Sequence, residues 1–177
     1  MKLNYNREVM LNIIDKKPKN DLGKTAVMKM VFILQHVFNM SLGYSFDIYT
    51  YGPYAAEVSG ELDALIYEGF IEADEYMFNN SLGYALKISE KGQASKGVLP
   101  FDDDEKISRV VNKFGKKKAK ELELDSTIIF TRNRYIKNKW GDEKDEIIKD
   151  VHVIKPHFTT QAIRNAYDNL KNDGMLI

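Results

Sequence analysis

The 177 residues, 44% apolar and 29% charged, have the balance of a globular protein and exclude a disordered polymer. A chain of this length buries roughly two thirds of its unfolded surface, so folding requires no disulfide or metal. With no cysteine, disulfides, thiolate nucleophiles and thiolate zinc sites are excluded together, and a reducing cytoplasm is the expected location. The 26 Lys/Arg and 26 Asp/Glu cancel, but residues 1–104 hold 10 against 15 (net −5) and residues 105–177 hold 16 against 11 (net +5). The two parts are therefore expected to present different fields to partners.

The opening Met1-Lys2-Leu3-Asn4-Tyr5-Asn6-Arg7 lacks the apolar core of a signal peptide. The longest apolar runs, such as Met30 to Leu34, fall far short of the about 20 residues that span a bilayer, so no membrane partner is expected. A first helix is predicted from about Asn6 to Asp15, with Val9, Met10, Ile13 and Ile14 on one stripe and Pro18 closing it. After Gly23 a second runs from about Lys24 to Phe38. Val27, Met30, Val31, Leu34, Val37 and Phe38 form its stripe, widened by Phe32 and Ile33 into a central core helix. Ser45 to Tyr51 alternates and suits a short strand.

Tyr51-Gly52-Pro53-Tyr54 breaks that strand. Gly52 supplies unusual dihedrals and Pro53 opens a third helix, about Ala55 to Glu68, with Val58, Leu62, Leu65 and Ile66 inward and Gly69 as C-cap. Phe70–Phe78 and Tyr84–Ser89 read as strands joined through Asn79-Asn80-Ser81-Leu82-Gly83, and Ser89-Glu90-Lys91-Gly92 ends the hairpin. Helix, helix, strand, helix, hairpin is the order of a winged helix-turn-helix with the hairpin as wing.

Beyond Pro100, the acidic linker Asp102-Asp103-Asp104-Glu105 is placed to cap a following helix. Helices are predicted over about Glu105–Phe114, Lys116–Lys139, Glu143–Val153 and Thr159–Asn172, the last capped by Thr159 or Thr160 and closed by Gly174. The predicted fold class is mostly α with a small antiparallel β wing (α+β). A winged-helix domain spans 1–100, and an all-helical C-terminal bundle over 101–177 packs on it. Leu62–Ile71 and Ala166–Ile177 echo each other, an apolar helical stripe ending in Gly and then an apolar tail; this reads as repeated helix-stop grammar.

Signatures of catalysis are absent from the sequence: no Gly-x-Ser-x-Gly elbow, no Gly-x-x-x-x-Gly-Lys-Ser/Thr loop and no Gly-x-Gly-x-x-Gly turn. His36, His152 and His157 sit at no zinc spacing, and His36 reads as a partly buried structural residue. No enzyme, cofactor or metal is expected.

A winged helix usually sends its third helix into the DNA major groove. Here that helix carries Glu57, Glu61, Asp63 and Glu68 with no Lys or Arg between Tyr54 and Tyr67, and the wing opens with Glu72, Asp74 and Glu75. Carboxylates facing phosphates release no counterions, which disfavours that docking mode. The face is either plain solvated surface or a protein-binding surface. Tyr44, Tyr49, Tyr51 and Tyr54 cluster nearby in sequence, and tyrosines bury area at low entropic cost. Basic residues lie elsewhere. Lys106, Arg109, Lys113, Lys116, Lys117, Lys118 and Lys120 precede Arg132, Arg134, Lys137 and Lys139, with Tyr135 and Trp140 interleaved. They are either solvated helix faces or a patch for nucleic-acid backbone.

Three segments carry a family likeness: Lys24-Thr25-Ala26-Val27-Met28-Lys29-Met30-Val31-Phe32-Ile33-Leu34-Gln35, Phe46-Asp47-Ile48-Tyr49-Thr50-Tyr51-Gly52-Pro53-Tyr54 and Tyr84-Ala85-Leu86-Lys87-Ile88-Ser89-Glu90-Lys91-Gly92. Together with Lys155-Pro156-His157-Phe158, they resemble the YwgA-like winged-helix proteins of bacteria and archaea and, more distantly, the SocA-like (Panacea-domain) antitoxins. The likeness covers most of the chain and is poorest over 93–125. One departure is visible: Ala26-Val27-Met28-Lys29 stands where these families often show Leu-Gln-Lys. SocA-like proteins act as antitoxins or adaptors through protein contacts, so the resemblance implies a non-catalytic interaction or regulatory protein. The expected partner is another protein or a second copy, met by Tyr49, Tyr51, Tyr54, Glu57 and Glu61. The alternative is a transcriptional regulator that binds nucleic acid through Lys113, Lys116, Lys117, Lys118, Arg132 and Arg134.

Overall fold

The computed structural model describes residues 3–17, 22–78 and 81–176. The expected stop at Pro18, the Asn79-Asn80 part of the hairpin loop and the terminal Ile177 lie outside the described residues. The elements are α1 (Tyr5–Asp15), α2 (Lys24–His36), β1 (Asp47–Tyr49), β2 (Gly52–Tyr54), α3 (Ala56–Tyr67), β3 (Ile71–Phe78), β4 (Ser81–Ile88), α4 (Glu90–Ser95), α5 (Phe101–Phe114), α6 (Ala119–Lys137), α7 (Lys144–Ile154) and α8 (Thr160–Asn172). The fold is mostly helical with two small antiparallel strand pairs, β1–β2 and β3–β4. None of the described helices is long and apolar enough to cross a membrane.

The chain divides into two units, one of residues 1–46 and 54–117, the other of residues 47–53 and 118–177. In the first, Asn4 caps α1 by accepting from the Arg7 amide. The inward stripes of α1, α2, α3 and α5 then bury Val9, Ile13, Met30, Leu34, Val58, Leu62, Val110 and Phe114. β3 pairs with β4 from Ile71↔Ile88 to Phe78↔Ser81. Leu22, just ahead of α2, adds a bridge on the other side of β4, with the Leu86 amide donating to the Leu22 carbonyl at 2.9 Å.

Several local expectations need correction. The strand predicted over Ser45–Tyr51 is two short strands, because Gly52 at φ +91° reverses the chain, while Phe46 is buried edge-on against Phe32 at 5.2 Å. Pro53 lies within β2 and does not open α3, whose N-cap is Ala55. Ser89-Glu90-Lys91-Gly92 continues into a short helix, α4. The Ser89 hydroxyl accepts from the Gly92 amide at 2.9 Å and donates to the Gly69 carbonyl at 2.7 Å. Asp102–Asp104 are no linker but the first turn of α5, where the positive end of the helix dipole favours acidic side chains.

The first unit runs on to Lys117 and so includes α5, beyond the boundary expected at Pro100. This changes the charge balance. Counted by unit, Lys/Arg against Asp/Glu is 15 to 15 in the first and 11 to 11 in the second. The opposite fields expected of the two parts arise from dividing the chain at residue 104; neither unit carries a net charge.

The second unit combines β1 and the start of β2 with α6, α7 and α8. Ile128, Ile147, Ile148, Val151, Ile163, Tyr167 and Leu170 are among its buried apolar residues. Thr159, not Thr160, caps α8 by accepting from the Ala162 amide at 3.1 Å.

Gly92 permits the close approach of α4 to the end of α3, since a Cβ there would meet the Phe70 carbonyl oxygen at 2.1 Å. Gly92→Ala is expected to cost about 3 kcal/mol by urea unfolding. Gly60→Ala, in the interior of α3 with open space around it, should instead gain about 1 kcal/mol.

Candidate functional site

Within the second unit, the hairpin of residues 47–53 is held by one buried ammonium. Lys155, at the C-cap of α7, is 3% exposed. Its Nζ donates to the Tyr49 carbonyl at 2.9 Å and to the Thr50 carbonyl, and ion-pairs with Glu123 Oε1 of α6 at 3.0 Å. Two carbonyls thereby accept from the ammonium, and the Glu123 carboxylate supplies the opposite charge at ion-pair distance, which together offset the cost of burying it. His157 Nε2 lies 3.3 Å from the same Glu123 oxygen. After the turn Gly52 lies against α6. A Cβ at its position would sit 3.1 Å from Ser126 Oγ, 3.2 Å from Thr127 Oγ1 and 3.3 Å from the Glu123 carbonyl. Glycine is required there by both space and dihedral. The Ser126 and Thr127 hydroxyls turn back onto their own helix, donating to the Leu122 carbonyl at 2.6 Å and the Glu123 carbonyl at 2.7 Å.

With the hairpin backbone held, its aromatic side chains remain in water: Tyr49 is 61% and Tyr51 66% exposed. These are two of the five residues proposed from sequence for protein binding. The other three belong to the first unit. Tyr54 is half-buried and Glu57 is exposed on α3. Glu61 accepts from the buried Tyr44 hydroxyl at 3.0 Å. Burial, and then the Glu61 carboxylate, push the Tyr44 phenol above its ordinary pKa.

The acidity of α3 is also partly balanced by its neighbours. Asp63 pairs with Lys24 at 2.7 Å and Glu68 with Arg7 at 3.1 Å. These cations come from α2 and α1, so a count along α3 alone does not find them.

The basic set divides as well. Lys113, Lys116 and Lys117 fall in the first unit and Lys118, Arg132 and Arg134 in the second. Lys113 and Lys117 lie 5.9 Å and 5.7 Å from the Phe114 ring centre, while Lys116 and Lys118 are exposed. Arg132 is buried and forked onto Asp142, Nε to Oδ1 at 2.8 Å and Nη2 to Oδ2 at 2.7 Å, which takes it out of any phosphate-binding face. Arg134 lies over the Trp140 ring at 5.6 Å. Among the described residues no group of three or more His, Asp or Glu is placed to hold a metal ion.

Removing Lys155 strands two carbonyls and a buried carboxylate. Lys155→Ala should cost about 3–5 kcal/mol in denaturant unfolding and speed amide exchange over residues 47–53. Tyr44 gives an alkaline signature. Its unfolded phenol ionises near the ordinary value of 10.0 while the folded one keeps its proton. Its contribution is therefore full below pH 10 and falls as pH rises further, and Tyr44→Phe should flatten that limb of the stability curve. No protein-family model, curated protein or solved structure matches the chain.

Proposed function

We propose that this is a non-catalytic, cytoplasmic winged-helix protein that binds a protein partner through its tyrosine-bearing hairpin, as an antitoxin, adaptor or defence-associated regulator. The observation that carries the reading is the pairing of a fixed backbone with exposed aromatic side chains: Lys155 and Gly52 hold the turn, and Tyr49 and Tyr51 stand in water. Tyrosine has few torsions to freeze, and a held loop has little order left to lose, so both features favour association. Glu57 and Glu61 of α3, the latter accepting from Tyr44, and Tyr54 follow the hairpin in sequence as an acidic element.

The winged-helix reading of the first unit rests on the order α1, α2, α3, β3, β4 and on the Leu22–Leu86 bridge, which places the segment before α2 beside the wing. Resemblance to YwgA-like and SocA-like proteins supports a role through protein contacts. Docking on DNA through the basic helices is the weaker reading, because Arg132 is committed to Asp142.

The test is affinity capture with the full chain as bait, followed by mass spectrometry, alongside the Tyr49→Ala/Tyr51→Ala double variant. A partner, or a second copy of the chain, should be retained by the wild type and lost at least about 10-fold in the variant. Equal retention would remove the hairpin from the interface.

A further inference from the structure

Among the described residues, three helices end on the same bond pattern. At the end of α3 the Gly69 amide donates to the Ile66 carbonyl at 3.0 Å and the Phe70 amide to Leu65 at 2.9 Å. At the end of α8, Gly174 donates to Lys171 at 3.0 Å and Met175 to Leu170 at 2.8 Å. At the end of α6, Lys139 donates to Ile136 at 3.1 Å and Trp140 to Tyr135 at 3.0 Å. This Schellman arrangement needs a left-handed residue at the turn and an apolar residue after it that folds back on the helix.

The first two ends obey both rules. Gly69 and Gly174 take φ +77° and +68°, and Phe70 and Met175 are 3% and 7% exposed. The end of α6 breaks both at adjacent positions. Lys139 adopts φ +58°, a conformation that costs a side chain more than it costs glycine, and Trp140 is 57% exposed although its ring meets Tyr135 edge-on at 5.5 Å. Local rules broken without a gain in stability mark positions kept for another purpose.

The turn is nonetheless fixed. Arg132 clamps Asp142 two residues beyond the indole, the Tyr135 hydroxyl donates to Asp150 at 2.8 Å, and Gly141 carries the chain away at φ +100°. One cation lies over the exposed ring, and two more stand beside it in sequence. Arg134 lies over it at 5.6 Å, and Lys137 and Lys139 are exposed; none of the three pairs with a carboxylate among the described residues. Asp142 is neutralised by Arg132 and Asp145 pairs with Arg164 at 2.8 Å, leaving Glu143 and Glu146 as the other exposed acids next along the chain. The helix dipole accounts for Arg134 and Lys137 in the last turn. It accounts for neither a left-handed lysine nor an indole left in water.

We propose that the α6–α7 turn binds single-stranded nucleic acid, with a base stacking on Trp140 and backbone phosphates meeting Arg134, Lys137 and Lys139. An acidic peptide would use the cations and leave the indole idle. A duplex keeps its bases stacked on one another and offers none to the ring. The site is independent of the tyrosine hairpin, so either can fail without the other.

Trp140 is the only tryptophan, so fluorescence excited at the red edge, where the indole absorbs and tyrosine does not, reports on this turn alone. Titration with a short single-stranded deoxythymidylate oligomer at low ionic strength should quench it saturably. By anisotropy of the labelled oligomer, Trp140→Ala should weaken binding about 10-fold or more. Lys139→Gly should raise the thermal midpoint by about 3 °C, yet weaken binding and make the log–log salt slope shallower by about 0.7. Tyr49→Ala/Tyr51→Ala should bind as the wild type does. Absence of quenching and of an anisotropy change would overturn the proposal. So would wild-type affinity in Trp140→Ala, or equally effective competition by a glutamate-rich peptide, since either reduces the site to charge alone.

Discussion

An ammonium is taken out of water at a cost of several kcal/mol, and the loss is recovered only when acceptors and an opposite charge are set around it. Lys155 donates to two main-chain carbonyls and faces one carboxylate at ion-pair distance. The carbonyls belong to a segment about a hundred residues earlier in the chain, so the bond fixes a long-range pairing that no local propensity specifies. Gly52 completes it by letting the hairpin backbone approach the hydroxyls of Ser126 and Thr127. The polar side chains buried along α6 follow from the same demand. Small hydroxyl side chains that bond back onto their own helix, Ser126 and Thr127, leave room for the hairpin backbone, while the buried Glu123 carboxylate faces the Lys155 ammonium.

The second organising device is the helix terminator. The same two-bond ending closes α3, α6 and α8, and in α3 and α8 it returns an apolar residue to the core. That is the physical content of the sequence echo between Leu62–Ile71 and the C-terminus: a shared way of stopping a helix. The third copy lacks glycine, and periodicity alone does not reveal it, because lysine gives no left-handed signal.

Helices with a clean apolar stripe, such as α2 and α8, were legible to within a residue or two, since burial of one face decides both their existence and their phase. Boundaries shifted where a side chain other than the stripe decides the matter. Ser89 turns an assumed hairpin end into α4 by capping it, and Gly52 turns one strand into two. The exposed tyrosines of the candidate site were visible as a cluster of letters, but their support was not. A lysine before a proline reads as surface charge until Glu123 and the hairpin carbonyls are set around it. Likewise Arg132 looked like one cation among several, because its fork onto Asp142 depends on the turn at Lys139–Gly141.

The hairpin of residues 47–53 joins the second unit although the chain on both sides of it belongs to the first. The boundary is therefore crossed three times, after Phe46, after Pro53 and after Lys117. No single break in the gene separates the two units cleanly: a fragment ending near Lys117 carries an orphaned hairpin, and its complement lacks the backbone that Lys155 was buried to meet. A single crossover therefore cannot exchange one unit whole and leave the other intact.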